Sequence, residues 1–182
     1  GINVRKSIQL ANLHPRVNIL SPGPGVGGHC IAVDPWFLTE STLNSKLISS
    51  ARSVNDNMPL YVFKKAKKIM TNCTEKPLRV SIFGVAYKGN IDDARETPAL
   101  KLIKLCEKEN WTVMIHDPYV TNFEYDLMSM EESVDQSDLV IIVTDHDKFK
   151  QIDPSIISTK MRNKNILDTR GILDVARFIN NG

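Results

Sequence analysis

Residues 21–35 place a thiol and a carboxylate close together in a stretch that is dense in glycine and proline. Cys30 follows closely on a pair of glycines, and Asp34 lies four positions later. A cysteine thiolate can attack a carbonyl carbon, and a nearby carboxylate can move the proton that such a reaction requires. A stretch of this composition is more often a turn, and a single cysteine is more often a small buried hydrophobe. The residues alone leave both interpretations open.

The glycines and prolines of this stretch predict an unusual backbone beside the thiol. Gly25, Gly27 and Gly28 lack a Cβ, so the chain can take positive φ there and let another molecule approach closely. The prolines fix φ and remove N–H donors, so we expect neither a regular helix nor a central strand across residues 21–35. The stretch is therefore predicted to be a stiff loop, built around a ligand, that holds the thiol still.

The composition is that of an ordinary globular protein. The chain has 182 residues, of which 42% are hydrophobic and 24% charged. Its net charge of +2 arises from 23 basic and 21 acidic residues dispersed along the sequence, without the basic stripe of a nucleic-acid-binding protein. No apolar run approaches the ~20 residues of a membrane span. We expect neither nucleic acid nor a membrane as a partner.

The cysteines are widely spaced and form no C-x-x-C pair. There are three of them, and an odd number at this spacing argues against a disulfide framework and against a zinc cluster. No metal is therefore expected, and Cys73 and Cys106 are predicted to be structural. Because no N-terminal signal pattern is present either, a reducing cytoplasm is the expected location.

The first 75 residues show the periodicity of helices. Apolar positions at helical spacing predict a helix near residues 4–11, another from Leu43 and a third after Pro59. A cluster of lysines lies opposite the apolar face of the third helix and is predicted to be solvated. The polar segment 71–77 ends this pattern, and we place a domain boundary there.

Beyond this boundary, strands alternate with helices. Strand-like runs separated by helical segments predict β-α-β units and a mainly parallel, doubly wound sheet, which makes the fold class α/β. The predicted strands are residues 79–84, 112–116, 138–144 and 165–168, and the predicted helices are residues 98–108, 131–136 and 155–161.

Cationic side chains follow two of these strands. In an open α/β sheet, ligands bind beyond the carboxyl ends of the strands. Lys88 and Arg95 follow the first strand and precede a helix, where phosphate oxygens find cations and free N–H groups. A turn with local ion pairs is the alternative there. Arg170 follows the last strand.

An Asp-His-Asp run, residues 145–147, follows the third strand. A metal site is one interpretation, but no other ligands cluster nearby in the sequence, so a loop cap is favoured. His29, next to Cys30, could influence the thiol, but adjacent side chains usually point apart. It receives no assigned role.

Two segments of the chain resemble the UDP-glucose/GDP-mannose dehydrogenase family. Residues 23–37, Gly-Pro-Gly-Val-Gly-Gly-His-Cys-Ile-Ala-Val-Asp-Pro-Trp-Phe, resemble its catalytic-cysteine signature and are most similar to the UDP-N-acetylmannosamine dehydrogenase branch. Residues 84–98, with Gly-x-x-x-Lys and then Asp-Asp-x-Arg-Glu-Thr-Pro, resemble a motif of its C-terminal domain. The resemblance implies NAD-dependent oxidation of a sugar's primary alcohol to a carboxylate, in two steps, through a thiohemiacetal and a thioester.

The resemblance also implies a role for each candidate residue. Cys30 would be the nucleophile, and Asp34 would orient or activate the water that hydrolyses the thioester. Arg95 would reach the NAD. The residues expected to contact the UDP-sugar are Ser21, Pro22, Gly23, Pro24, Gly25, Val26, Gly27, Lys88 and Arg170.

The resemblance further implies how the chain is organised. Residues 1–75 would hold the cysteine loop and central dimerisation helices, and residues 76–182 a Rossmann-like, UDP-sugar-binding domain. Because no glycine-rich dinucleotide fingerprint precedes the cysteine, we expect a C-terminal fragment whose NAD site lies mainly in a missing N-terminal domain. The fragment is expected to be inactive alone and to self-associate as a homodimer. UDP-N-acetylglucosamine, UDP-glucose and GDP-mannose remain alternative substrates, and a non-catalytic nucleotide-sugar-binding or dimerisation module is the alternative from another class.

Overall fold

The N-terminal third of the protein is helical. The structure, a computed structural model, describes residues 1–180. Its first helices are α1 (Val4–Ala11), α2 (Cys30–Ser41), α3 (Lys46–Asp56) and α4 (Met58–Ile69), and a 3₁₀ turn, Met70–Asn72, follows α4. The predicted first helix is confirmed, and its N-cap is Asn3, whose side chain accepts a hydrogen bond from the Lys6 N–H.

The remainder of the chain is built on a parallel sheet, which confirms the α/β prediction. The strands β1 (Arg79–Phe83), β2 (Thr112–His116), β3 (Leu139–Ile142) and β4 (Ile166–Asp168) lie in the order β2-β1-β3-β4. Ile82 of β1 pairs with Ile115 of β2 on one side and with Ile141 of β3 on the other. These central strands are buried on both faces and therefore read as nearly continuous apolar runs.

Helices cover both faces of the sheet, as a doubly wound fold requires. They are α5 (Pro98–Lys108), α6 (Met130–Val134), α7 (Asp147–Lys150), α8 (Pro154–Lys160) and α9 (Val175–Ile179). Alternate residues of a strand point to opposite faces. Ile82 and Ile141 accordingly lie in the core beneath α4 and α5, whereas Phe83, Val140 and Ile142 lie in the core that Phe149 of α7 and Ile157 of α8 complete.

The helix α2 overturns the expectation that the thiol stretch excludes a helix. It begins at Cys30 and passes through Pro35. The ring of Pro35 removes the N–H that would donate to the carbonyl of Ile31, four residues earlier. Nη1 of Arg52 in α3 donates to that carbonyl instead, over 3.4 Å. The helix tolerates proline in its interior because the carbonyl keeps a partner.

The apolar face of α4 is buried within the chain. Val62, Phe63 and Ala66 are buried, and the Phe63 ring lies against Trp111, with ring centroids 5.3 Å apart. The resemblance places this face against a second subunit, but α5 and the sheet cover it here. The lysines on the opposite face are exposed, as predicted: Lys64, Lys65, Lys67 and Lys68.

The core is continuous across the predicted boundary at residues 75/76. Phe63 and Met70 precede that boundary, yet they belong to the same buried cluster as Val80 and Leu102. The division into two domains remains a prediction. Within the described residues, no helix combines the length and the apolar character that crossing a bilayer would require.

Candidate active site

The strand order defines where a ligand crevice can form. The chain passes from β2, on one side of β1, to β3 on its other side. Crossovers therefore run in opposite directions from β1 and β3, and a crevice opens at their carboxyl ends. The segments that follow these two strands are residues 84–97 and 143–146. Lys88 and Arg95 both lie in the first of them.

The candidate nucleophile lies at the start of α2. Cys30 is the first residue of this helix and is exposed, and its Sγ lies 3.0 Å from Nδ1 of His29. A helix N-terminus favours a thiolate because the unpaired N–H groups carry partial positive charge. Asp34 is exposed one turn later on the same helix face. The expectation that His29 and Cys30 point apart is wrong, since their side chains are in contact.

The glycines before the thiol accommodate the protein's own chain. A Cβ built on Gly27 would lie 2.4 Å from the carbonyl oxygen of Glu96, and one built on Gly28 would lie 2.9 Å from the Tyr87 ring. The Gly28 N–H donates to the carbonyl of Arg95 over 3.0 Å. That a ligand also approaches this loop remains a prediction. These glycines let the thiol loop, residues 21–29, dock on the segment that follows β1.

An amide side chain fixes the middle of the thiol loop. Oδ1 of Asn55 accepts from the Val26 N–H over 2.8 Å, and its Nδ2 donates to the Val26 carbonyl over 3.2 Å. Pro24 is buried nearby, and Gly25 takes a φ of 127° against the backbone carbonyl of Asn55. This φ is accessible to glycine alone without strain. The loop is thus held from α3 as well as from the sheet.

Arg95 is a cation whose charge interacts with the thiol. Its guanidinium binds the carboxylate of Asp93, with Nε 3.0 Å from each oxygen. This hydrogen bonding lowers the pKa of Asp93 to about 2 and raises the pKa of Arg95. Smaller contributions to the pKa of Arg95 come from the charges of Tyr87 and Cys30. Both the predicted cation and the predicted local ion pair are therefore present.

Arg170 lies between the last strand and the thiol loop. Asp168, at the end of β4, accepts hydrogen bonds from the four backbone N–H groups of residues 170–173, which fixes the turn that carries Arg170. Nη2 of Arg170 donates to Asp145 over 2.8 Å. A Cβ built on Gly23 would lie 2.3 Å from Nη1 of Arg170, so the glycine admits the guanidinium. Arg5 of α1 donates to the carbonyls of residues 169 and 170.

Lys88 is exposed at the crevice, and among the described residues no hydrogen bond or ion pair involves its side chain. The turn that carries it is fixed by its neighbours. Gly89 packs on the carbonyl oxygen of Asp145, which would lie 2.6 Å from a Cβ built there. Asn90 takes a φ of 63°. Its Nδ2 donates to the carboxylate of Asp147, and its Oδ1 accepts from the Asp147 N–H. The ammonium group of Lys88 is therefore exposed, and the backbone turn that carries it is fixed by its neighbours.

The Asp-His-Asp run stabilises this same turn. His146 is fully buried, and its Nδ1 accepts from the Asn90 N–H over 2.9 Å. Its Nε2 therefore carries the proton and donates to Asp117 over 3.1 Å. Burial alone would raise the pKa of Asp117, but hydrogen bonds from His146 and from backbone N–H groups lower it. Residues 1–180 hold no group of three His, Cys, Asp or Glu side chains suited to a metal.

The structure brings most of the predicted residues to one side of the sheet. Arg170 touches the thiol loop, Arg95 lies beside Cys30, and Lys88 lies on the turn that Asp145 supports. Asp34 makes no hydrogen bond to any of them within the described chain. The contacts from Asn55 and Tyr87 were not predicted. Asn55 lies near the polar C-terminal end of α3, and this polarity marks the end of the helix. No sequence pattern shows which backbone groups the Asn55 side chain binds.

Comparison with known proteins identifies the family on both segments. Residues 81–175 match the model of the UDP-glucose/GDP-mannose dehydrogenase family, UDP binding domain, and residues 1–57 match that of the same family's central domain. The chain is 50% identical over 177 residues to the UDP-N-acetyl-D-mannosamine dehydrogenase of Methanocaldococcus jannaschii. That alignment covers 96% of this chain and 41% of the relative. The chain thus spans about two fifths of that relative's length.

Solved structures agree with the sequence comparison. The UDP-D-ManNAc dehydrogenase of Pyrococcus horikoshii superposes with a TM-score of 0.86 at 38% identity, covering 96% of this chain and 42% of that one. The chain is also 39% identical to an NDP-N-acetyl-D-galactosaminuronic acid dehydrogenase of Ralstonia solanacearum, covering 98% of this chain and 42% of that protein. The matched domains and the shared fold together show that the chain belongs to the UDP-glucose/GDP-mannose dehydrogenase family.

Proposed function

We propose that this chain forms part of an NAD-dependent UDP-N-acetyl-D-mannosamine dehydrogenase. The reaction oxidises the sugar's primary alcohol to a carboxylate in two steps, through a thiohemiacetal and a thioester on Cys30, to give UDP-N-acetyl-D-mannosaminuronate for surface polysaccharide synthesis. Asp34 would activate the water that hydrolyses the thioester. The identity of 50% to a relative named for this activity supports the choice of sugar.

One observation carries the proposal. The exposed thiol of Cys30 begins a helix whose preceding loop rests on the segment after β1, the segment that also holds Lys88 and Arg95. The two cations lie on the segment after β1 and the nucleophile follows a loop that rests on that segment, at the edge of the sheet where α/β proteins bind ligands. The flexible ammonium of Lys88 suits a phosphate oxygen of the UDP-sugar, and the guanidinium of Arg95 suits a phosphate of the cofactor. In this proposal Ser21–Gly27 and Arg170 line the rest of the UDP-sugar.

The residues present fit a minor part of an NAD site. Arg95 offers an exposed guanidinium beside the thiol, as a contact to a cofactor phosphate would need. The turn after β1, with Gly84 and Gly89, lacks the spacing of a dinucleotide fingerprint. NAD would supply the hydride acceptor, while this chain would hold the sugar and the thiol. We propose that the chain alone does not turn over.

The apolar side chains left exposed in the first third support self-association. Phe37 and Leu38 of α2 and Leu47 and Val54 of α3 are each more than half exposed. An apolar surface of this kind usually marks an interaction site. We propose that α2 and α3 form a homodimer interface. We also propose that the protein is located in the cytoplasm.

Calorimetric titration of this chain with UDP, UDP-N-acetylmannosamine and NAD, each in turn, tests the proposal. We expect heat from both uridine ligands and none from NAD. GDP-mannose, UDP-glucose and UDP-N-acetylglucosamine serve as competing sugars, and stronger binding of one of them would replace the proposed substrate. If a longer protein that includes the preceding domain also fails to bind uridine ligands, the proposal is wrong.

Substitution of Lys88 tests the cation in the crevice. Lys88→Ala is expected to weaken UDP binding by about tenfold or more, because one charge-assisted contact to phosphate is lost. Lys64→Ala is the matched control, since Lys64 is an exposed lysine on the far face of α4. Equal affinities of the two variants would remove Lys88 from the site.

A further inference from the structure

The Cys30 thiol has a proton acceptor within contact distance that the sequence motif does not assign. Sγ lies 3.0 Å from Nδ1 of His29, inside hydrogen-bond range for sulfur. We propose that His29 is a catalytic residue that takes the proton of Cys30, so that the sulfur attacks as a thiolate. This inference rests on the proposed function and deepens it by naming the base for the nucleophile.

A fixed pair of opposite charges lies near the two side chains. Arg95 interacts electrostatically with Cys30, and Asp93 interacts with His29. The guanidinium is therefore close enough to the thiol, and the carboxylate close enough to the imidazole, for their charges to interact. Since Asp93 and Arg95 are themselves joined by hydrogen bonds, their charges are fixed in this crossed arrangement.

Three other ionisable residues lie near the two side chains. Tyr87 packs beneath Gly28. Glu96 meets the thiol loop through its backbone carbonyl. Asp34 follows on the same helix, four residues from Cys30, and makes no hydrogen bond to Sγ within the described chain. Asp34 therefore retains the later step with water, while His29 serves the first.

The backbone around the contact between Cys30 and His29 is fixed by hydrogen bonding. His29 has helical backbone angles, φ −90° and ψ −36°, immediately before α2. The preceding residue, Gly28, is tied to the carbonyl of Arg95 over 3.0 Å. The same backbone segment therefore positions the imidazole, the thiol and the charge pair that faces them.

The step conserves atoms and electrons. The S–H bond of Cys30 breaks, and its proton forms an N–H bond at Nδ1 of His29, whose Nε2 already carries a proton. The sulfur electron pair then forms a C–S bond to the carbonyl carbon of a sugar aldehyde. The carbonyl π pair moves to oxygen, and this oxygen takes the proton from His29. The product is a thiohemiacetal, and no oxidant is required for its formation.

Alkylation by iodoacetamide, a neutral probe, measures the thiolate without substrate or cofactor. We expect His29→Asn to slow modification of Cys30 at least tenfold near about pH 6.5, where an isolated thiol is mostly protonated. Asn retains a polar atom close to Sγ but cannot accept the proton. The control is His14→Asn, since His14 is exposed and lies outside the site. Added imidazole is expected to restore part of the rate in His29→Ala.

Rates for His29→Asn and the unsubstituted chain that agree within about twofold across the pH range would overturn the inference. A slowed rate at every pH, without a change in the shape of the profile, would also overturn it, because that result reports altered access to sulfur. The proposed dehydrogenase is tested separately by uridine binding and by turnover of a longer protein. Failure there would leave the alkylation result intact.

Discussion

The helices of the first third and the sheet that follows bury their apolar side chains to very different extents. In α1 no residue is buried, and in α2 only Ala32 is. In β1 and β3, by contrast, Val80, Ile82 and Ile141 are completely buried. Burial of apolar area is the main source of folding free energy. The sheet therefore stabilises the molecule, and the thiol loop takes its position from the sheet.

The two regions also differ in how they treat ionised side chains. Asp117, directly after β2, and Asp168, the last residue of β4, each accept several backbone hydrogen bonds. Asp34 in α2 is exposed and has no such partners within the described residues. A carboxylate whose lone pairs are all occupied orders the backbone, whereas one that is free can handle a proton. The contrast separates structural carboxylates from the one assigned to chemistry.

Thiol reactivity provides the largest expected contrast between the two regions. Burial raises the pKa of Cys106 in α5 to about 12, with a smaller contribution from Glu107, whereas Cys30 is exposed. We expect iodoacetamide to modify Cys30 at least ~10³-fold faster than Cys106 at neutral pH, as read by mass spectrometry of peptides. Cys73 is buried and should also be protected. Equal rates for all thiols in the folded chain would favour the non-catalytic module and contradict the structure.

Truncation of an apolar side chain is expected to lower the free energy of unfolding much more in the sheet than in the helices of the first third. Ile82→Ala should lower the free energy of unfolding by about 2–5 kcal/mol, because it leaves a cavity in the sheet core. Leu47→Ala in α3 should change it by less than about 0.5 kcal/mol, since Leu47 is 83% exposed. Urea unfolding measures both. A large loss for Leu47→Ala that depends on protein concentration would show instead that a second copy covers α3.

The pH dependence of stability should report Asp117. Its pKa in the folded state lies below the ordinary 3.8, so its stabilisation is complete at neutral pH and is lost as the pH falls below about 4. Asp117→Asn should cost about 2 kcal/mol at neutral pH and flatten the acid limb of the stability curve. Asp126→Asn is the control, because Asp126 is exposed. An unchanged acid limb in Asp117→Asn would contradict the assignment.

The smallest expected effect concerns the hydrogen bonds by which Asn55 holds the thiol loop. Asn55→Ala removes two hydrogen bonds to Val26 and should lower stability by about 1 kcal/mol. Hydrogen exchange of the Val26 N–H should accelerate, whereas exchange in β1 should not change. Asn44→Ala, on the exposed segment before α3, is the matched control. Unaltered exchange at Val26 would show that the sheet alone holds the loop.

Sequence periodicity predicted the sheet region closely. The bounds of α5 and β2 agree with the predicted residues 98–108 and 112–116, because burial imposes a regular apolar pattern on both elements. The short helices α7 and α9 were not predicted, since one turn carries too few apolar positions to define a period. Local pattern is therefore most informative where the core is largest.

The sequence predicted which residues are candidates for the site, but it did not predict the contacts between them. Cys30, Lys88, Arg95 and Arg170 were predicted as site residues because each follows a loop or a strand, and their roles remain predictions. The contact of His29 with sulfur and the docking of Gly27 on Glu96 depend on side-chain rotation and on tertiary packing. No spacing along the chain encodes either property.

Pro35 has a mechanical consequence for the thiol. One of the hydrogen bonds that would tie the first turn of α2 to the next is missing, and the substitute from Arg52 to Ile31 is long, at 3.4 Å. The first turn is therefore hinged, and it can tilt at lower cost than an uninterrupted helix allows. Cys30 is carried by that turn, so its position depends on the loop fixed at Gly28 as well as on the rest of its own helix.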